Sequence, residues 1–153
     1  MPRRALDLNV RGRAELGRVI RQLHGAAETY DRRLHAAALD ALDIVPPLVR
    51  GNVPRVVPKR YARVLGPALR FDKSGKLGKI SLKVSAKGRR ELRDVPQIDR
   101  GRLRHPLFGA RKTWYDTRVK LGLVSTPFEK AEPMIVKRIA KVRAELIDEL
   151  TKG

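Results

Sequence analysis

The sequence contains no cysteine and few aromatic or acidic residues. Among its 153 residues are no Cys, three His and 5% aromatic residues, so disulfides, cysteine-based zinc sites and thiol catalysis are excluded. Its apolar runs are a few residues long, far short of the roughly 20 that span a bilayer. The basic N-terminus is not followed by the apolar stretch of a secretory signal. We therefore expect no membrane partner and a protein that works where it is made or in a particle assembled there.

The shortage of acidic residues is concentrated in the middle of the chain. The whole sequence has 35 Lys+Arg against 16 Asp+Glu, a formal net charge of +19. Residues 1–49 carry a net +2 and residues 121–153 a net +1, whereas residues 50–120 hold twenty-one basic and five acidic side chains, net +16. Such a local excess attracts polyanions, so nucleic acid or a strongly acidic protein surface is the expected neighbour.

Both ends of the chain have helical patterns. Apolar spacing predicts helices over residues 13–24 and 26–45, the second ended by Pro46-Pro47 because proline lacks an amide donor. Near the C-terminus, Thr126, Pro127 and Glu129 match a capping box. An apolar stripe then predicts an amphipathic helix over about 127–150.

The middle of the chain has strand and loop patterns. Its prolines and glycines predict a loop from Gly51 onward that leads into a short strand at 68–71, and a turn at 72–75. Alternation predicts a half-buried strand at 80–84. The charged stretch 88–104 reads as an exposed loop or arm, and 85–104 as a part that orders on assembly. The fold class is therefore α+β, one domain over 1–153, with N-terminal helices, a small antiparallel sheet with long basic loops, and a C-terminal amphipathic helix.

Catalytic and cofactor motifs are missing from the sequence. The three His have no metal-ligand spacing, and no phosphate-binding glycine loop or nucleophile motif occurs. We expect His105 to brace a loop, and Asp94 and Asp99 to form solvated ion pairs with nearby arginines. The sequence predicts no enzyme, no metal and no cofactor. It also lacks the strand aromatics of an RRM and the compact helices of a helix-turn-helix.

The stretch from Arg104 to Leu123, RHPLFGARKTWYDTRVKLGL, combines the single Trp with basic residues. It is compatible with a nucleic-acid surface, a catalytic pocket or a structural loop. With VPKRYARVLGPALRF before it and a capped helix after it, this stretch resembles the tail-completion or head-to-tail connector proteins of long-tailed double-stranded DNA phages, as in actinobacteriophages. The family pattern is a G-x-x-RHP-[VL]-FG loop, a tryptophan and a Pro-Gly-aromatic turn. Leu121-Gly122-Leu123 departs from that last turn.

The resemblance implies a structural virion protein at the neck or the top of the tail, assembled in the host cytoplasm. It implies a ring, most naturally a hexamer, that joins the head connector to the tail tube. Its partners would be copies of itself, other neck proteins (adaptor or stopper), the major tail protein and the double-stranded genomic DNA that passes through. The residues of this loop that the resemblance carries over are Gly101, Arg104, His105, Pro106, Phe108, Gly109 and Trp114.

The basic middle is expected to face either DNA or an acidic partner. We rank the acidic partner first, because tight binding would impede a genome that has to slide. Phe108 and Trp114 are expected to be interface anchors, although Trp114 is as well explained by a place in the core. The alternative function is a free basic protein that binds nucleic acid without sequence preference. The basic residues assigned to this surface are Lys83, Lys87, Arg89, Arg90, Arg93, Arg100, Arg102, Arg111 and Lys112.

Overall fold

A computed structural model describes residues 6–9, 28–76, 79–88, 92–107 and 110–152. The elements are helices and short strands, which confirms the α+β class. In chain order they are β1 (Leu6–Asn9), α1 (Glu28–Ala41), a 3-10 helix (Leu42–Ile44), α2 (Val45–Val56), α3 (Lys59–Ala68), β2 (Leu69–Lys76), β3 (Lys79–Ala86), α4 (Val95–Asp99), β4 (Arg102–Leu107), β5 (Ala110–Arg118) and α5 (Ser125–Lys152). The predicted helix at 13–24 lies outside the described residues.

The predicted loop after residue 50 is wrong, because α2 and α3 occupy this part of the chain. Pro46-Pro47 does not end the helical region. It lies in the first turn of α2, where amide donors are not used by the helix and proline is tolerated. Pro54 lies inside α2 but is exposed. On the opposite side, buried apolar residues recur every three or four positions, and they stabilise the helix despite its prolines: Val45, Val49, Val53 and Val56.

The larger sheet has the strand order β1-β3-β2, with both pairings antiparallel. The strand predicted at 80–84 is confirmed within β3, but the turn predicted at 72–75 is wrong. These residues continue β2, with Asp72 opposite Lys83 and Gly75 opposite Ile80. Turn-forming residues are tolerated there because β2 is an edge strand whose residues from Asp72 to Lys76 are exposed.

The inner face of this sheet packs on the N-terminal helices. Ile80, Leu82 and Val84 alternate along β3 and are all buried. The Arg50 guanidinium of α2 lies 5.2 Å from the ring centre of Phe71 on β2. Together with apolar side chains of α1, α2 and α5, these residues form a single core. Among the described residues, no charged side chain is buried in it.

The predicted exposed loop at 88–104 is wrong over its second half. Val95 and Ile98 of α4 are buried, and β4 begins at Arg102. Asp94 is the N-cap of α4, where its carboxylate accepts the Gln97 amide at 3.3 Å, so it serves as a helix cap. The helix replaces a loop because Asp94 and the following Val-Pro supply a start signal and two apolar residues supply burial.

The C-terminal amphipathic helix is confirmed and is longer than predicted, from Ser125 to Lys152. Its buried positions follow one stripe: Phe128, Ala131, Ile135, Ile139 and Leu146. None of the described helices is both long and apolar enough to cross a membrane. At the far end, Glu149 forms a two-point ion pair with Arg33 of α1, with its shorter contact at 2.6 Å. Its hydrogen bond with Arg33 lowers the pKa of Glu149.

The start of α5 is set by Asp99 and not by the predicted capping box, since the helix begins one residue before Thr126. The Asp99 carboxylate accepts the amides of Val124 at 2.7 Å and Ser125 at 2.9 Å, and the Ser125 hydroxyl at 3.2 Å. The Asp99 carbonyl also accepts the Gly122 amide at 2.8 Å. Asp99 therefore satisfies the amides that no residue inside the helix can reach.

The Leu121-Gly122-Leu123 turn is held from its other side by Asn52 of α2. The Asn52 amide donates to the carbonyls of Gly122 at 2.9 Å and Leu123 at 3.1 Å. Gly122 has φ +80, and a Cβ there would collide with the Thr126 hydroxyl, so glycine is required. Leu123 is fully buried whereas Leu121 is 73% exposed. Leu123 thus supplies a buried apolar side chain at this turn.

We expect Asp99→Ala to destabilise the protein by about 2 kcal/mol, because it leaves amides at the start of α5 without an acceptor. Urea unfolding followed by circular dichroism measures this change. The control is Asp72→Ala, which removes an exposed carboxylate on β2 and should alter stability by no more than about 0.5 kcal/mol. Equal unfolding midpoints for the two variants would contradict the role assigned to Asp99.

Candidate interaction site

The RHPLFG…W stretch forms a β-hairpin and not a loop, which corrects the sequence prediction. β4 and β5 pair antiparallel as a separate two-stranded sheet, with Arg104 opposite Asp116 and Pro106 opposite Trp114. The register shifts between Pro106 and Leu107. Proline is compatible with β4 because, among the described strands, β4 pairs with β5 alone. Phe108 and Gly109, two of the predicted site residues, lie outside the described residues.

The base of the hairpin is anchored in the body of the protein. Leu103 is fully buried in the core. Gly101 is buried with φ +85, and a Cβ there would meet the Val119 carbonyl at 3.0 Å. The Gly101 carbonyl in turn accepts the Val119 amide at 2.9 Å. Because Gly101 has no Cβ, the two chain segments that enter and leave the hairpin can approach each other closely.

His105 braces the hairpin, as the sequence suggested, but through two bonds. Its Nε2 lies 2.7 Å from the Thr117 hydroxyl on β5, and its Nδ1 lies 3.2 Å from the Pro106 carbonyl. A ring protonated at Nδ1 donates to that carbonyl and accepts the Thr117 hydroxyl. The imidazole also lies 6.1 Å, centre to centre, from the ring of Tyr61 on α3. These contacts give His105 a structural task that links both strands to the helical body.

Beyond His105 the hairpin extends away from the core. None of the residues from Lys112 to Arg118 is buried. Trp114 is half-buried and is not among the side chains that form or border the core. Tyr115, on the opposite face of the same strand, is 46% exposed. The aromatic side chains of β5 therefore do not fill the core.

The two faces of the hairpin differ in chemistry, because successive side chains of a strand point to opposite sides. The inner face continues from buried Leu103 and carries His105, Thr113, Tyr115 and Thr117. The outer face carries Trp114, the carboxylate of Asp116 and four exposed cations. We call these four the cationic face: Arg102, Arg104, Lys112 and Arg118.

The remaining predicted basic residues are spread over other parts of the fold. Lys83 is exposed on the outer face of the larger sheet, which it shares with Arg70, Lys76 and Lys79. Lys87 and Arg100 are exposed at the ends of β3 and α4, and the half-buried Arg93 donates to the Gly88 carbonyl at 2.9 Å. Arg89, Arg90 and the side chain of Arg111 lie outside the described part. The described cations of this set are thus divided between two sheets and the segment that connects them.

Sequence reasoning missed Tyr115, Thr117 and Arg118 as parts of the site. The signal was available in T-W-Y-D-T-R, where β-branched and aromatic residues favour a strand and alternation assigns each side chain to a face. No cluster of side chains suited to hold a metal ion occurs in the part of the chain that the structure describes. No family model, curated protein or solved structure matches this chain. Its function is therefore inferred from the hairpin, its charge and the motif that forms it.

We expect Thr117→Val to loosen the hairpin selectively, because it removes the hydroxyl that joins β5 to His105. An exposed hydrogen bond contributes about 0.5–1 kcal/mol, so amide exchange in β4 and β5 should accelerate about two- to fivefold while α5 is unaffected. Hydrogen exchange followed by mass spectrometry measures this. The matched control is Thr113→Val on the same face, which should leave exchange unchanged. Acceleration throughout the core would show that the effect is not local.

Proposed function

We propose that this chain is a non-enzymatic structural subunit of a phage head-to-tail interface, a neck or tail-completion protein that assembles into a ring around the path of the DNA. The observation that carries the proposal is the projecting hairpin, which is formed by the same RHPLFG…W motif that resembles the phage family. An element that leaves the core, with four exposed cations on one face, is suited to contacts outside its own subunit.

Subunit contacts are best served by the inner face and the strand edges of the hairpin. In the described structure, β4 and β5 have no strand partner other than each other, so each has an edge open to pairing. Tyr115 supplies an exposed aromatic anchor of the type enriched at interface hot spots. A hairpin that reaches from one subunit to a different surface of the next makes a heterologous contact, and such contacts form a ring when the rotation between subunits closes.

The charge distribution supports partners of opposite sign. A ring repeats the +16 middle segment in every subunit, so its assembly requires anions close to this surface. Within a virion these are the genomic DNA and acidic surfaces of other neck proteins or the major tail protein. The proposed site of action is the neck or the top of the tail. We propose six subunits for the ring, as the resemblance to the phage family implies.

The proposal is tested by imaging the protein in its own particles and with its genetic neighbours. Negative-stain electron microscopy of the purified chain, mixed with duplex DNA and with the products of adjacent genes, should show closed rings with a central channel. Mass spectrometry should detect the chain in purified virions. A chain that stays monomeric in every mixture and is missing from virions would overturn the proposal.

A second candidate is a free basic protein that binds nucleic acid without sequence preference, and it is favoured by the cationic face. Unlike the ring-forming neck protein, this second candidate would act as a monomer and outside the virion. Binding of duplex DNA by a chain that forms no ring with any neighbour and is absent from virions would support it.

We expect Tyr115→Ala to weaken ring formation while the subunit stays folded. Loss of an interface hot spot costs about 2 kcal/mol per contact, or about a 30-fold weaker association. Light scattering measures ring formation, and the thermal midpoint of the isolated subunit checks folding. The matched variant is Met134→Ala, which removes an apolar side chain that is 50% exposed on α5. If Met134→Ala abolishes the ring and Tyr115→Ala does not, the interface lies on α5 and not on the hairpin.

A further inference from the structure

We propose that the cationic face of the hairpin is a contact for duplex DNA that binds phosphates without regard to sequence. The inference rests on the proposed function for its setting, since it assigns which element of each subunit touches the DNA. It also assigns which basic surface does not. The larger sheet has its own four exposed cations on its outer face, namely Arg70, Lys76, Lys79 and Lys83.

The dimensions of the hairpin suit a groove of the duplex. From Lys112 to Arg118 the strand rises about 20 Å, and the two strands lie about 4.8 Å apart. The major groove is about 12 Å wide and admits a two-stranded β-ribbon. From Lys112 to Arg118 the side chains are exposed apart from the half-buried Trp114. The hairpin can therefore approach a duplex ahead of the helical body.

The spacing of the cations also suits a phosphate backbone. Alternate residues of a strand, such as Arg102 and Arg104, lie about 6.8 Å apart. This is twice the axial spacing of about 3.4 Å between phosphates of one DNA strand. Three of the four cations are arginines, whose planar guanidinium groups bind phosphate oxygens at two points. Asp116, opposite Arg104, is the one carboxylate on this face among the described residues, so the face keeps a positive excess.

Phosphate contacts do not conflict with a genome that has to slide. Contacts of this type carry no sequence information, and they allow proteins to move along DNA because each contact is replaced by an equivalent one. This reverses the order in which the sequence alone ranked an acidic partner and DNA. The cationic face has a few exposed cations and no deep pocket among the described residues, so it can bind DNA and still let it slide.

The test compares two variants that lose the same charge. One replaces the cationic face (Arg102→Gln, Arg104→Gln, Lys112→Gln and Arg118→Gln), and the other replaces the cations of the larger sheet (Arg70→Gln, Lys76→Gln, Lys79→Gln and Lys83→Gln). Fluorescence anisotropy measures binding of the full-length chain to labelled mixed-sequence duplex DNA of about 30 base pairs, between about 50 and 200 mM salt. Thermal melts check that both variants are folded.

We expect the hairpin variant to reduce the slope of log affinity against log salt by about 3 to 4, because each lost phosphate contact removes about 0.9. The sheet variant should change it by less than about 1. Equal losses in the two variants would mean that net charge alone drives binding, and the inference would fail. An unchanged slope in the hairpin variant would also overturn it and would leave the cationic face for an acidic protein.

A second measurement needs no mutation. Trp114 is the only tryptophan in the sequence and lies on the same face as the four cations, so its emission should change in a saturable manner as duplex is added. Unchanged emission at saturating duplex would place the DNA elsewhere.

Ring formation by the hairpin variant separates this inference from the proposed function. If the hairpin variant forms rings but loses the salt dependence of DNA binding, the ring and the DNA contact are both supported. If the wild-type chain forms no rings but shows the salt dependence, only the ring is contradicted.

Discussion

The junction around Asp99 joins the end of α4, the start of α5 and the middle of α2. One carboxylate oxygen of Asp99 accepts two amides and a hydroxyl at the start of α5, and its backbone carbonyl accepts Gly122. Asn52 holds the same turn from α2. The last turn of α4, the entry to α5 and the middle of α2 thus share one polar junction. Because an unsatisfied amide at a helix start is costly, α5 begins where Asp99 can reach it.

The hairpin depends on this junction because its two ends enter and leave beside it. β4 starts three residues after Asp99, and β5 ends four residues before Gly122. The bond between Gly101 and Val119 closes the hairpin base, and Leu103 buries one side of it. Further out, the His105 ring lies beside that of Tyr61 on α3. The described part of the hairpin therefore contacts the body both at its base and at His105.

The sequence was sufficient to predict elements whose signals agree with each other. In α5, a long apolar stripe, helix-forming residues and a polar opposite face all favour one structure, and in β3 strict alternation does so. Prediction failed where local chemistry and burial disagree. In α2, prolines and a glycine indicate a loop, but four valines on one side gain more from burial than the prolines cost. The alternation of the hairpin was hidden because Pro106 and the flanking glycines suggested a loop.

The sequence predicted which types of residue form the site, and the structure assigned these residues to the two faces of a hairpin. The sequence located the loop residues between Gly101 and Trp114 and the basic residues between Lys83 and Lys112, but without a strand it could not assign faces. The positive charge on one face of the hairpin also affects how subunits assemble. Chains of net charge +19 repel one another, and no charged side chain among the described residues is buried, so the repulsion is not relieved inside a subunit. In the proposed ring, polyanions at the cationic face would neutralise it, which couples assembly to the presence of an anionic partner.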